Sequence, residues 1–173
     1  MIETERILLR PFVLEDAEAM YRIMSDPEVA RYVPDQPPSS VEASREILRA
    51  YPIADYAAHG FGRWACVLRE TGEVIGFCGL KRLMPSGEVD LGYRLARRTW
   101  GRGLATEGAR ASLAYGFEEL ALPEIIGRVM PENTASVRVL EKLGLERTGT
   151  VEDEGATTAK YVITRDAYLA RRR

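Results

Sequence analysis

The residues with the clearest chemical potential lie between positions 97 and 113, where the chain reads RRTWGRGLATEGARASL. Gly101 and Gly103 follow a group of arginines, and an alanine-rich helical pattern begins directly after them. The N-terminus of a helix carries unpaired N–H groups and a partial positive charge, so it attracts anions. Glycine lets a ligand approach the main chain where a side chain would collide. We therefore predict that this stretch binds a phosphate group.

Three phosphate-binding patterns can be compared with this stretch. A dinucleotide fingerprint requires Gly or Ala at its third position, but Thr106 stands there, and no βαβ unit with a partner acid follows. A P-loop requires G-x-x-x-x-G-K followed by Ser or Thr, a string that the sequence lacks. The third pattern, R-x-x-G-x-G, is met by Arg98, Gly101 and Gly103 on a predicted turn between a strand and a long helix.

The elements that position this turn predict one α+β domain over residues 1–173, built on a mostly antiparallel sheet with helices on both faces. Apolar residues recur with helical spacing in some segments, while others are continuous or alternating runs typical of strands. Strands are predicted at 7–9, 63–68, 74–80, 88–95 and 125–130, followed by a hairpin of 148–151 with 160–164. Helices are predicted at 14–24, 40–52, 104–120 and 134–143, the last one ending at Gly144.

Composition limits the function classes. The 173 residues are 46% hydrophobic and 29% charged with a net charge of −2, which is ordinary for a soluble domain and gives no reason to expect nucleic-acid binding. No window approaches 18 uninterrupted apolar residues, so no membrane span is expected. Glu3, Glu5 and Arg6 precede the first apolar run, unlike a signal peptide, and a cytoplasmic location is the default expectation.

The cysteines and the histidine argue against metal chemistry. Cys66 and Cys78 lie in apolar, strand-like runs, which favours buried free thiols over a disulfide or a metal pair. His59 is the single histidine, so neither a histidine-rich metal site nor a Ser-His-Asp triad is convincing. We expect no metal.

The chain resembles the GNAT superfamily of acyl-CoA-dependent N-acyltransferases, whose motif A carries R-x-x-G-x-G. Residues 4–29, TERILLRPFVLEDAEAMYRIMSDPEV, resemble the opening of the ribosomal-protein N-terminal (alanine) acetyltransferase branch. Residues 89–113, VDLGYRLARRTWGRGLATEGARASL, resemble its motif A, and residues 131–151, PENTASVRVLEKLGLERTGTV, resemble its motif B. The resemblance spans nearly the whole chain and implies the GNAT fold, in which the central sheet is splayed in the middle.

The resemblance implies acetyl-CoA as the co-substrate, bound mainly by the main chain. The pantetheine arm would lie between the strands at 90–95 and 125–130, and the diphosphate on N–H groups of residues 98–105, with added contacts from Arg98 and Arg102. Trp100 is also expected to pack at the turn, and Asn133 to cap the following helix. The implied cofactor-binding residues are Tyr93, Arg94, Leu95, Arg98, Trp100, Gly101, Arg102, Gly103, Leu104, Ala105, Thr106, Asn133 and Ser136.

The implied reaction is direct attack of a primary amine on the acyl thioester in a ternary complex. Asp90 stands where the branch commonly carries glutamate, so it is the candidate proton acceptor, directly or through water. The alternative for Asp90 is a solvent-facing strand residue. Leu140 occupies the place of the motif B tyrosine and cannot donate a proton. Ser136 lies one helical turn earlier and matches the serine of the branch, so it is the candidate donor to the leaving sulfur.

Several properties stay open at this level. The acceptor is a protein N-terminal amine or a small-molecule amine such as a polyamine, an amino acid or an aminoglycoside, and its pocket is expected within residues 24–56. Glu28, Asp35 and Asp55 are candidate contacts for a cationic acceptor. The acyl group is acetyl or succinyl, and the protein is a monomer or a homodimer. A non-catalytic CoA-binding sensor is the alternative from another functional class.

Overall fold

The computed structural model describes residues 1–153 and 155–172, which form one eight-stranded sheet flanked by helices. The strands are β1 (Ile2–Glu3), β2 (Ile7–Arg10), β3 (Arg63–Leu68), β4 (Val74–Arg82), β5 (Val89–Leu95), β6 (Glu124–Val129), β7 (Glu146–Asp153) and β8 (Ala156–Thr164). The helices are α1 (Ala17–Met24), α2 (Pro27–Ala30), α3 (Val41–Leu48), α4 (Ala54–His59), α5 (Leu104–Ala114), α6 (Thr134–Leu143) and α7 (Arg165–Ala170). The α+β class predicted from the sequence is confirmed.

The strand order is β1-β2-β3-β4-β5-β6-β8-β7, and the neighbouring pairs are antiparallel except β5 with β6. Two cores cover the two faces of this sheet. One core packs the apolar side chains of β2 to β6 against α5 and α6. The other packs α1 and α3 against the opposite face. Because successive side chains of a strand point to opposite faces, β3 and β4 contribute to both layers.

Two prolines lie at helix boundaries that can be compared with the sequence prediction. The helix predicted at 14–24 ends at Met24 as expected, and Pro27 begins the separate helix α2, where a missing N–H costs nothing. The helix predicted to stop at Pro52 instead passes through a π-helical segment, Arg49–Ile53, and continues into α4. Proline has no N–H to donate, and its ring would collide with the carbonyl four residues earlier in a regular α-helix. The wider π-helical turn at Pro52 relieves this collision. The N-terminus of this helix is at the predicted place, since the Ser40 hydroxyl caps the N–H of Ala43.

The sheet splits between β5 and β6. Within the described residues these parallel strands are paired at one position, Asp90 with Ile126, although β6 goes on pairing with β8 as far as Val129. The C-terminal half of β5 therefore has an edge without a partner strand. Helix α5 follows β5 and helix α6 follows β6, so both helices begin at the open end of this split. Of the described helices, none is long and apolar enough to cross a bilayer.

Candidate active site

The turn after β5 is held by its own side chains. The Thr99 hydroxyl donates to the carbonyl of Ala96 at 2.6 Å, and Trp100 Nε1 donates to the carbonyl of Leu95 at 2.8 Å. The indole of Trp100 is still 48% exposed. Trp100 thus ties the turn to the end of β5, in line with the expected packing role, and it bonds to the carbonyl of Leu95, one of the residues whose main chain was expected near the pantetheine arm.

The main chain of residues 101–106 presents a row of N–H donors. Gly101 and Gly103 adopt positive φ values of 73° and 76°, and α5 begins directly after them. The N–H groups of residues 101–106 make no hydrogen bond to any residue that the structure describes. A Cβ placed on Gly101 would meet no protein atom within 4 Å. Successive N–H groups at a helix N-terminus, with open space before them, fit a diphosphate.

The arginines near this turn are paired with acids of the β3–β4 turn. Arg98 Nη2 lies 2.9 Å from Glu73 Oε2, and Arg102 Nη2 lies 3.8 Å from Glu70 Oε2. All four side chains are largely exposed. Exposed ion pairs contribute little to stability, so the arginines can turn toward an incoming phosphate at small cost.

The first turn of α6 places Ser136 beside the split. The side-chain oxygen of Asn133 accepts a hydrogen bond from the N–H of Ser136 at 3.2 Å, which confirms the predicted cap. At the other end, Gly144 has a φ of 89° and ends the helix as predicted. Leu140, which replaces the motif B tyrosine, is only 2% exposed and packs in the core.

A tyrosine from β5 meets Ser136. The hydroxyl oxygens of Tyr93 and Ser136 are 2.9 Å apart, and the Ser136 carbonyl lies 3.1 Å from the Tyr93 hydroxyl. The single proton of the phenol is donated either to this carbonyl or to the serine hydroxyl. Burial raises the pKa of Tyr93, an effect that its hydrogen bond to Ser136 only partly offsets, so the phenol keeps its proton at neutral pH. From the sequence, only the main chain of Tyr93 is expected to contact the cofactor. Its strand position, on the same face as Leu91 and Leu95, is the signal that points this phenol toward α6.

Asp90 lies within the sheet and not in solvent. It is 6% exposed, and its Oδ2 accepts a hydrogen bond from Arg63 Nη2 at 2.5 Å. Arg63 Nη1 also donates to the carbonyl of Asp90 at 2.8 Å, and Arg128 Nε lies 4.0 Å from Asp90 Oδ1. Within the described residues, Oδ1 is buried and accepts no hydrogen bond. The solvent-facing alternative for Asp90 is therefore wrong.

Arg94 points to the face opposite Tyr93. Its Nη2 lies 3.2 Å from Asp35 Oδ2, and its Nη1 lies 3.2 Å from the sulfur of Met24. Both partners belong to the segment 24–56 that was expected to shape the acceptor pocket. Because Asp35 already pairs with Arg94, it is not a free anion for a cationic acceptor.

The two cysteines occupy the core as expected. Both are free and buried. Burial raises the pKa of Cys66, and it raises the pKa of Cys78 to about 11. A thiol with a raised pKa is a poor nucleophile at neutral pH, so neither is part of the chemistry of the site.

Comparison with known proteins agrees with this geometry. The family model described as the acetyltransferase (GNAT) domain matches residues 6–146. The relative named uncharacterized N-acetyltransferase p20, from Bacillus licheniformis, is 37% identical over 168 residues, covering 96% of this chain and 92% of the relative. FsC-acetyl coenzyme A-N(2)-transacetylase from Aspergillus fumigatus is 29% identical over 184 residues, covering 97% and 77% of the two chains.

A solved structure extends the similarity to the fold. The crystal structure of a GNAT-family acetyltransferase from Bacillus anthracis superposes with a TM-score of 0.81 at 27% identity, covering 95% of this chain and 98% of the other. The resemblance seen in the motifs is thus confirmed over most of the sequence and in three dimensions. The chain belongs to the GNAT family and is an N-acetyltransferase.

Proposed function

We propose that this N-acetyltransferase uses acetyl-CoA to acetylate a primary amine in a ternary complex. The observation that carries the proposal is the row of unpaired N–H groups at residues 101–106, at the open end of the split between β5 and β6. Acetyl-CoA supplies the acetyl group as an activated thioester. The other steps belong to side chains and main-chain groups of this chain.

The main chain performs the binding. The N–H groups of residues 101–106 hold the diphosphate, and Arg98 and Arg102 add charge once they leave their exposed acid partners. The unpaired edge at the C-terminal half of β5 accepts the pantetheine arm as an additional strand. The cradle requires small residues more than it requires a particular charge, which agrees with glycine at 101 and 103.

Two hydroxyls serve the leaving group. Ser136 is proposed to give its hydroxyl proton to the leaving sulfur, while Tyr93, 2.9 Å from the Ser136 oxygen, turns its own proton from the Ser136 carbonyl to that oxygen. Burial keeps the phenol protonated before this step, and a proton from solvent restores it afterwards. Tyr93 thus takes up, from a strand, the chemistry that Leu140 cannot provide from α6.

Asp90 is proposed to receive the proton of the attacking amine. Its Oδ2 is held by Arg63, so the proton is taken up at Oδ1, directly or through one water. Asp90→Asn keeps the shape of the side chain but removes the proton acceptor. It should lower kcat/KM most at low pH, where little of the substrate amine is unprotonated. Arg63→Met is the companion variant, since it perturbs the ion pair while keeping the Asp90 carboxylate.

The acceptor class is a primary amine. Two kinds of acceptor are compatible with the split between β5 and β6. One is a protein N-terminal amine, which the resemblance to the ribosomal-protein branch favours, and the other is a small-molecule amine.

The experiment is acetyl transfer from acetyl-CoA to a panel of peptides and small amines, with acetylated product identified by mass spectrometry. CoA binding without product on any amine would overturn the proposal in favour of a CoA sensor. Succinyl-CoA in the same assay tests the choice of acyl group.

A further inference from the structure

A group of cations lies on the sheet face that carries α1 and α3. We call it the cationic face and define it as Arg63, Lys81 and Arg94, one residue from each of β3, β4 and β5. The ladder pairs bring Lys81 opposite Asp90, and Arg94 opposite Phe77. The Phe77 ring packs beneath both guanidinium groups, with Arg63 at 5.8 Å and Arg94 at 5.6 Å from its centroid. The two arginines therefore share one platform.

Arg63 is held in place by the protein. It donates to the Gly79 carbonyl at 2.6 Å in addition to its bonds with the carbonyl and the carboxylate of Asp90. A Cβ on Gly92 would lie 2.4 Å from Arg63 Nη2, so the guanidinium lies close against β5. Arg63 is thus a fixed charge that is directed at Asp90.

Arg94 is bonded much more weakly. Its partners among the described residues are the carboxylate of Asp35 and the sulfur of Met24, and a thioether is a weak acceptor. The Arg94 side chain is 14% exposed, whereas that of Asp35 is 52% exposed. A guanidinium has five donors in a planar fork. A largely buried Arg94 therefore holds more donors than its present partners use.

Lys81 is the third cation of the cationic face and lies beside Tyr51. Its Nζ lies 5.0 Å from the ring centroid of Tyr51, and it forms no ion pair with a described residue. Like Arg94, it faces the region where the segment 24–56 crosses the sheet. Arg63 and Arg94 are paired with the carboxylates of Asp90 and Asp35, so together with Lys81 these residues carry an excess of one positive charge, which favours an anionic group over a polyamine or an aminoglycoside.

The position of Arg94 relates this charge to the reaction. Arg94 follows Tyr93 in β5, so the two side chains point to opposite faces of the sheet beside the same split. Tyr93 contacts α6 on the side of the diphosphate cradle. An amine that does not collide with CoA must enter from the other side, where Arg94 lies.

We infer that Arg94 binds a carboxylate of the acceptor, so that the substrate is a primary amine with a carboxylate close to the nitrogen. The Asp35 carboxylate, 3.2 Å from Arg94, holds this place until the acceptor arrives. The planar fork of arginine matches a carboxylate in two parallel hydrogen bonds, which fixes the direction of the amine. This inference rests on the proposed amine acetylation and names its substrate class.

The test compares acids with their amides. The first arm uses free L-amino acids and their C-terminal amides; the second uses Ala-Asp-Ala-amide and Ala-Asn-Ala-amide, which separates a free amino acid from an acidic peptide as the source of the carboxylate. Acid and amide differ in amine reactivity, so the measured quantity is the acid-to-amide ratio of kcat/KM in the parent relative to the same ratio in Arg94→Met. We expect this double ratio to exceed about 10 in one arm, equivalent to about 1.4 kcal/mol. A double ratio near 1 in both arms overturns the inference.

Matched variants separate recognition from folding. Arg94→Met keeps an aliphatic chain on Phe77, and Arg94→Lys should keep part of the preference for acids. Arg22→Met removes an exposed guanidinium from α1 and should leave the ratio unchanged. Asp35→Asn removes the internal carboxylate and should lower KM for acids while leaving KM for amides unchanged; a rise in KM for acids would contradict the role given to Asp35.

A binding measurement keeps the inference independent of turnover. Calorimetric titration of the CoA-bound protein with the better acid should show binding that Arg94→Met weakens at least about tenfold. If the protein turns over amides and neutral amines as well as acids, and the titration shows no dependence on Arg94, the inference fails and the proposed function stands. If acids bind through Arg94 but no amine is acetylated, the proposed function fails and the carboxylate site stands.

Discussion

Gly101→Ala is the perturbation that isolates the diphosphate cradle. The new Cβ meets no protein atom within 4 Å, and it lies beside the N–H groups on which we propose that the diphosphate rests. An L-residue at a φ of 73° is also strained, by about 1–2 kcal/mol. The variant therefore combines a small loss of stability with a specific obstacle in front of the unpaired N–H groups.

The expected loss of affinity follows from those donors. A hydrogen bond to a charged group contributes about 1.5–3 kcal/mol, so displacement of the diphosphate from two of them costs about 3–6 kcal/mol. Since about 1.4 kcal/mol corresponds to a tenfold change, Kd for CoA should rise about 10²- to 10⁴-fold. Calorimetric titration with CoA measures this directly.

Gly87→Ala is the matched control. Gly87 has a φ of 77° and equally open surroundings, but it lies in the β4–β5 turn, away from the cradle. Chemical denaturation should show similar losses of unfolding free energy for the two variants, while only Gly101→Ala loses CoA affinity. Equal CoA affinities for the two variants would refute the assignment of the diphosphate to this turn.

Three further outcomes are expected. Ser136→Ala should lower kcat about 100-fold with Kd for CoA unchanged, and Tyr93→Phe should lower it less, as general acids contribute about 10²- to 10⁴-fold; parent-like kcat for both would remove their roles. Cys66 and Cys78 should resist a thiol reagent, with Cys78 at least about 100-fold slower than an unfolded thiol because burial raises its pKa to about 11; rapid native labelling would contradict this. Burial raises the pKa of Glu107, but hydrogen bonds from the N-terminal segment outweigh it and the net shift is downward. The stabilisation is therefore complete above the unfolded pKa of glutamate and is lost as pH falls through the lower folded pKa. In chemical denaturation at neutral pH, Glu107→Gln should lower the free energy of unfolding by about 1–3 kcal/mol. This difference from the parent should disappear in acid, and its persistence there would contradict the role of the Glu107 carboxylate.

Features set by neighbouring residues were predictable from the sequence. The strand at 63–68 and the helix at 134–143 have the predicted bounds, because their periodicity and their end signals agree. The caps at Ser40 and Asn133 involve residues three positions apart, so they follow from local chemistry. The turn ahead of α5 was predictable for the same reason.

Contacts between distant residues were not predictable. Tyr93 meets Ser136 across 43 positions, and Arg94 meets Asp35 across 59. Such pairs depend on strand order, and nothing local places β8 between β6 and β7. The charge partner of Asp90 was missed likewise, since Arg63 reaches it across β4. These contacts join residues that are distant in the sequence, so residue type alone does not predict them.

An NMR titration of the ¹⁵N-labelled protein with CoA examines the cradle most directly. If the diphosphate rests on the main chain ahead of α5, the amide signals of residues 101–106 shift most, and their protons move downfield as they become hydrogen-bonded. Shifts that instead centre on Arg110 and Lys142, in the groove between α5, α6 and α7, would contradict the assignment of the cofactor site, as would the absence of any shift at residues 101–106 when CoA is saturating.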